Sequence, residues 1–117
     1  MTFIWYPKCS TCKKAANWLK EQKIQVVTRD IKEENPTVEE LREWHLKSSL
    51  PLKKFFNTSG LLYKSMNLKE KLPQMTEEEQ LALLATDGML VKRPILITDR
   101  TVLVGFRPAE WEEVLKP

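Results

Sequence analysis

The chain has two cysteines, and they lie close together in the run Cys9-Ser10-Thr11-Cys12. Two thiols at this spacing suit dithiol–disulfide chemistry, in which one sulfur attacks an electrophile and the other displaces the product. The motif stands where a strand hands over to a helix. Cys9 is therefore expected at or before the helix N-terminus, where unpaired backbone N–H groups and the helix dipole favour a thiolate. Lys8, Lys13 and Lys14 add positive potential, and Cys12 lies one turn further in. This order makes Cys9 the nucleophile and Cys12 the resolving thiol, with Ser10 and Thr11 supporting the turn between them. The alternative is a pair of inert, half-buried cysteines.

Further residues that can carry chemistry lie near the other end of the chain. Arg93-Pro94 precedes an apolar run, and an X-Pro peptide entering a strand beside a cysteine loop is a candidate cis bond. The alternative is a trans proline that starts an edge strand. Arg107-Pro108 repeats the Arg-Pro pair after Val104-Gly105-Phe106. Guanidinium groups bind tetrahedral oxyanions through paired N–H donors, so Arg93 and Arg107 could both serve the Cys9 end if the chain folds back on its first strand. Otherwise they are ordinary surface arginines. His45 is the single histidine; it stands beside Trp44 with no partner in the sequence and reads as a packing or surface residue. Trp5, Trp18, Trp44 and Trp111 are spread over separate segments and read as core or half-buried anchors.

The elements that must position these groups read as β-α-β, a helical middle, then β-β-α. Thr2 to Tyr6 is β-branched and aromatic and ends at Pro7, the pattern of a short buried strand. Ser10 to Glu21 places Ala15, Ala16, Trp18 and Leu19 on one side of a helix. Ile24 to Ile31 reads as a second strand, parallel to the first because a helix connects them. Glu33-Glu34-Asn35-Pro36 is a turn. Thr37 to Glu40 and Thr76 to Glu79 are capping boxes that open helices. Between them Pro51 can open a short helix through Leu52, Phe55 and Phe56, Gly60 interrupts, and Leu68 to Leu72 suits another. The Lys64–Lys71 region reads as the solvated face of a short amphipathic helix. Asp87-Gly88 is expected to end the helix that follows Thr76. Pro94 to Thr98, the turn Asp99-Arg100, and Thr101 to Val104 form a hairpin. Pro108 stands at a first helical position, with Trp111 and Leu115 on the buried side.

Composition sets the outer limits. A chain of 117 residues with 42% apolar and 30% charged residues is a single globular domain, spanning residues 1–117, rather than a disordered tract. Three glycines exclude collagen-like and glycine-rich sequence. The apolar runs are too short to cross a bilayer. Two cysteines and one histidine cannot make a four-ligand Cys/His zinc site within one chain. The net charge of +3, with both signs well mixed, makes no case for direct nucleic-acid binding. The first residues lack the basic and apolar regions of a signal peptide, so the chain is expected in the cytoplasm, where thiols stay reduced. No heptad pattern or association stripe is present, and a monomer is expected.

With these residues in view the chain resembles the ArsC/Spx family, a branch of the thioredoxin-like fold. The motifs that carry the resemblance are YPKCSTCKKAANWL, FFNTSGLLYK, TDGMLVKRPILI and VGFRPAEWE, and they cover essentially the whole chain. The resemblance implies an α/β thioredoxin-like fold with a mixed four-stranded sheet and a helical insertion at about residues 36–88. It further implies a thiol–disulfide oxidoreductase resembling arsenate reductase, in which Cys9 attacks, Arg93 and Arg107 hold the oxyanion, and a Cys9–Cys12 disulfide forms. No metal or tightly bound organic cofactor is implied, only an external thiol reductant such as glutathione/glutaredoxin or thioredoxin. The third family arginine falls at Tyr63, with Lys64 next to it as a substitute charge, and Trp5 stands in place of the family's histidine. Cys12 is shared with the Spx/MgsR branch, whose members bind RNA polymerase and use the cysteine pair as a redox switch. A redox-sensing transcriptional regulator is therefore the alternative. The implied partners are a small oxyanion or disulfide substrate, a thiol-reducing protein and, for the alternative, RNA polymerase.

Overall fold

The computed structural model describes residues 1–115. Four strands form one mixed sheet in the order β2-β1-β3-β4. β1 (Thr2–Trp5) runs parallel to β2 (Val27–Asp30) and antiparallel to β3 (Ile95–Ile97), which pairs antiparallel with β4 (Val102–Val104). The strand order and mixed directions are those of the α/β thioredoxin-like architecture expected above.

Period-two alternation divides the sheet between two cores. Phe3, Leu96 and Leu103 face Ala15, Leu19 and Trp111, from α1 (Ser10–Glu21) and α6 (Pro108–Leu115). Their strand neighbours Ile4, Ile95 and Val102 face the larger cluster on the other side. That cluster is supplied by the helical segment between β2 and β3. It contains α2 (Val38–Ser48), α3 (Leu61–Ser65), α4 (Leu68–Lys71) and α5 (Glu77–Leu84), with 3-10 turns at Leu52–Phe55, Leu72–Gln74 and Gly88–Leu90. Sheet and helices thus bury β1 from both faces, and β1 leads directly into Cys9.

Both capping boxes form. Thr37 Oγ1 accepts from the Glu40 N–H at 3.1 Å while Glu40 Oε1 accepts from the Thr37 N–H at 3.1 Å. Thr76 and Glu79 repeat the arrangement at 3.1 and 2.9 Å. Glu40 also receives both terminal nitrogens of Arg29, at 2.6 and 2.9 Å, so one carboxylate opens α2 and ties it to β2. Arg29 and the Thr37 N–H together hold that carboxyl down to about 2, against the opposing effect of burial.

Several boundaries differ from the sequence reading. β2 begins at Val27 rather than Ile24, because the Ile24 N–H donates to the Leu19 carbonyl and Lys23 turns left-handed at φ 59° to close α1. Those residues complete a helix C-terminus and are not free for the sheet. Pro51 precedes its 3-10 turn instead of opening it. The Lys64–Lys71 region is two short helices, split at Asn67 with φ 54°. Asp87-Gly88 does not end the helix after Thr76; α5 stops at Leu84, and Asp87 accepts from the Met89 N–H to start the next turn. Gly88 has a packing role, since a Cβ there would lie 2.2 Å from the Ile31 carbonyl oxygen.

This close approach sets a stability test. Gly88→Ala forces the helical segment away from the end of β2 and is expected to cost about 1–3 kcal/mol, as overpacking does. Urea unfolding followed by tryptophan fluorescence measures it; an unchanged midpoint would refute the contact.

Candidate active site

The site grows from the turn between β1 and α1. The Cys9 N–H donates to the Tyr6 carbonyl at 2.9 Å, and the Cys9 carbonyl accepts the first helical bond, from Lys13 at 3.0 Å. Cys9 is thus the N-cap of α1, with extended backbone at φ −92° and ψ 124°. Its neutral side chain makes no capping hydrogen bond, so the first-turn N–H groups gain an acceptor when the sulfur ionises. Cys9 is half-buried and Cys12 fully buried, and both thiols are free. The Tyr6 N–H donates to Cys12 Sγ at 3.5 Å.

The two thiols are driven apart in acidity. Burial pushes the Cys9 thiol up, but the Cys12 N–H and thiol and the Arg93 guanidinium outweigh it, and the net shift is downward. Cys12 is pushed up to about 12, first by burial and then by its contact with Cys9 and that sulfur's charge, against the opposing Tyr6 N–H. Cys9 is therefore the more acidic thiol and Cys12 the one held protonated. The cation acting on Cys9 is Arg93, not Lys8, Lys13 or Lys14. Those three are exposed, and water screens their charge.

Arg93 arrives from the segment before β3. Its guanidinium lies over the Tyr6 ring, with Cζ 5.3 Å from the centroid. Its Nε and Nη1 are buried and have no hydrogen-bond partner among the described residues. Burying donors without partners is costly; the Cys9 sulfur, which also hydrogen-bonds this guanidinium, gains acceptor strength beside them when it ionises. The Arg93–Pro94 peptide is cis, which selects one of the two alternatives left open by the sequence. Pro94 itself is buried.

Cys9, Thr11, Arg93 and Arg107 line one groove of about 1060 Å³. Arg107 is exposed there and is fixed from behind. Gly105, at φ 76°, donates to the Pro94 carbonyl at 2.8 Å, and the buried Trp111 indole N–H donates to the Gly105 carbonyl at 3.1 Å. Phe106 meets Trp111 edge-on at 5.0 Å and Trp18 at 6.1 Å. The other wall is tethered through the Phe56–Val91 bridge, the Asn57 N–H bonded to the Leu90 carbonyl, and the Lys92 N–H bonded to the Phe55 carbonyl.

Not every expected residue reaches this place. Lys64 is exposed and is not among the groove residues. Tyr63 is buried in the larger core and borders a separate cavity of about 150 Å³. Lys64, expected as a substitute charge for a third arginine, is thus not brought into the groove with Cys9. Ser10 is exposed and also lies outside the groove lining. His45 meets Phe55 edge-on at 6.0 Å, as a packing residue does. The sequence reading missed Tyr6, which contacts Cys9 and Cys12 through its backbone and Arg93 through its ring. It also missed Lys53, Lys54 and Lys92 on the groove wall. Adjacency offered a hint only for Lys92, which precedes Arg93.

The acidity pattern is testable. Thiolate forms as pH rises through the folded-state pKa, so alkylation of Cys9 by iodoacetamide is expected to reach its midpoint at lower pH than in the urea-unfolded chain. Arg93→Gln is expected to raise that midpoint, while Cys12 stays unlabelled across the neutral range. Peptide mapping by mass spectrometry separates the two sites; labelling of Cys12 before Cys9 would reverse the assignment.

Comparison with known proteins agrees with this architecture. The ArsC family model matches residues 4–114. An ArsC family related protein from Bacteroides fragilis has a structure that superposes with TM-score 0.94 at 60% identity, covering 97% of this chain and 95% of that one. A possible arsenate reductase from Streptococcus mutans gives TM-score 0.88 at 44% identity, with 97% and 95% covered. The regulatory protein MgsR of Bacillus subtilis is 33% identical over 99% of this chain and 90% of its own. The reductase-like and the regulatory likenesses both span the whole domain, and on the family match the chain belongs to the ArsC family.

Proposed function

We propose that the protein is a two-electron thiol reductase of the arsenate reductase type, working in the reducing cytoplasm. The observation that carries this reading is the Cys9 thiol, lowered in pKa at a helix N-cap, beside an arginine with two buried unpartnered donors. Arg93 would hold the negative oxygen of the acceptor, with Arg107 further along the groove.

Two acceptors fit the same electron count. With arsenate, the Cys9 thiolate bonds to arsenic(V) as one oxygen leaves as water. Cys12 then attacks Cys9 Sγ, and the sulfur–arsenic electron pair stays on arsenic, which departs as arsenite. With a disulfide, Cys9 bonds to one sulfur and expels the other as a thiol; Cys12 then releases the second. Either route leaves a Cys9–Cys12 disulfide, which an external thiol system such as glutathione/glutaredoxin or thioredoxin reduces. The sequence of events follows from the pKa coupling. While Cys9 is anionic its charge raises Cys12; once Cys9 is covalently occupied that charge is gone, and Cys12 is easier to ionise.

A second reading is favoured by the likeness to MgsR over the full domain. In it the same disulfide is a signal, and oxidation alters a surface that binds RNA polymerase, with DNA contacted only indirectly.

Thiol counting by mass spectrometry after mixing reduced protein with arsenate tests the first reading. Loss of both thiols, matched by arsenite, is expected. Cys9→Ser is expected to abolish it, and Cys12→Ser to leave an adduct on Cys9. An active Cys9→Ser variant would sink the mechanism. Oxidation by diamide without arsenate turnover, even with glutathione and glutaredoxin added, would leave a disulfide acceptor or the regulatory role. Capture of purified polymerase by reduced or oxidised protein then decides for the regulator.

A further inference from the structure

The groove is far larger than an oxyanion needs. A tetrahedral anion fills the space of two or three waters, roughly 60–90 Å³, whereas the groove holds about 1060 Å³. That is the upper end of the roughly 300–1,000 Å³ range of clefts that enclose a sizeable ligand. Its charge is one-sided. Lys53, Lys54, Lys92, Arg93 and Arg107 line it against one carboxylate, Glu110, and none of the five forms an ion pair with a described residue. Apolar surface is interleaved with the charge: Leu61, in the groove lining, is 87% exposed.

We infer that the groove docks an acidic polypeptide segment carrying a disulfide, and that this is the substrate class of the Cys9–Cys12 pair. The inference rests on the reductase reading above and names its acceptor. Three observations select this occupant. The volume of the groove suits several residues rather than an ion. The unpaired cations suit carboxylate side chains. Cys9 opens into the same groove, where a docked polypeptide can present a disulfide sulfur as the electrophile, which a nucleic acid does not have. The Cys9 thiolate attacks the exposed sulfur of the docked segment, forming a peptide–Cys9 disulfide and releasing the partner thiol. The Cys12 thiol gives up its proton and attacks Cys9 Sγ, releasing the peptide thiol. Two electrons pass from the cysteine pair to the peptide disulfide, and an external dithiol restores the pair.

The test uses the full chain and matched single-cysteine peptides of about eight residues, sized to the groove. Each is activated as the neutral 2-pyridyl disulfide; one set is flanked by glutamates and the other by lysines. Release of pyridine-2-thione gives the rate constant, and 2-hydroxyethyl pyridyl disulfide serves as the small neutral reference. The acidic peptide is expected to react about tenfold or more faster than the basic one at low ionic strength. The ratio should shrink in about 0.5 M salt and approach one in the triple variant Lys53→Gln, Lys54→Gln, Lys92→Gln. Prompt reaction of the neutral reference with no acidic preference would overturn the docking inference alone. Failure of all three disulfides to react would overturn both the inference and disulfide reduction itself. A single-stranded oligonucleotide that blocks the acidic peptide more tightly than a cysteine-free acidic peptide does would reassign the groove and overturn it too.

Discussion

Arg93 carries a permanent charge into contact with the Cys9 thiol and keeps two N–H donors, Nε and Nη1, buried without partners. Such an arrangement is costly, and the sheet and the Tyr6 ring place the guanidinium there. β1 and β3 are paired antiparallel in the middle of the sheet, so the residue just before β3 arrives beside the residues just after β1. The Tyr6 ring then covers the guanidinium. The same charge lowers Cys9 and opposes the rise of Cys12. One strand pairing therefore brings both cysteines and this cation together, and the Cys12 N–H and thiol act on Cys9 beside it.

The C-terminal arm serves this arrangement from the opposite core. Trp111 is fully buried, packs edge-on against Phe3, Trp18 and Phe106, and uses its indole N–H to hold the Gly105 carbonyl. Gly105 needs its positive φ, and a Cβ there would also press on Lys92 at 3.3 Å. The chain can then turn Phe106 inward and leave Arg107 at the groove. The tryptophans of α1 and α6 thus stabilise the fold and aim a cation together. Both jobs are compatible because aromatic edge-to-face contacts are directional as well as apolar.

The groove separates two aspects of one site. At its Cys9 end the chemistry is local, and a small anion could satisfy the Arg93 donors. Beyond that end the groove is lined by lysines and Leu61, which offer charge and apolar surface. The same protein surface suits a reductase that selects its disulfide and a regulator whose disulfide state is read by another protein. Both use Cys9 as a thiolate, and they differ in what leaves after the disulfide forms.

Much of this was legible in the residues. The cysteine spacing, the strand before it and the apolar stripe of α1 place a thiol at a helix N-terminus from local pattern alone. The capping boxes at Thr37 and Thr76 and the proline opening α6 are likewise local, because a side chain three residues away satisfies the orphan N–H groups. What failed did so where contacts across the fold compete with local pattern. Ile24 suits a strand but completes the end of α1, Gly88 serves the Ile31 carbonyl rather than a helix end, and Lys64 sits near the right motif on the wrong side of a short helix. The cis state of Arg93–Pro94, the cover that Tyr6 gives Arg93 and the gathering of Lys53, Lys54 and Lys92 around Cys9 were decided by tertiary structure. Sequence by itself determined which groups can ionise, cap and pack. Only the sheet order and the packing of the insertion decided which of them share a groove, because residues about 40 to 100 positions apart meet through strand pairing and core contacts that no local period records.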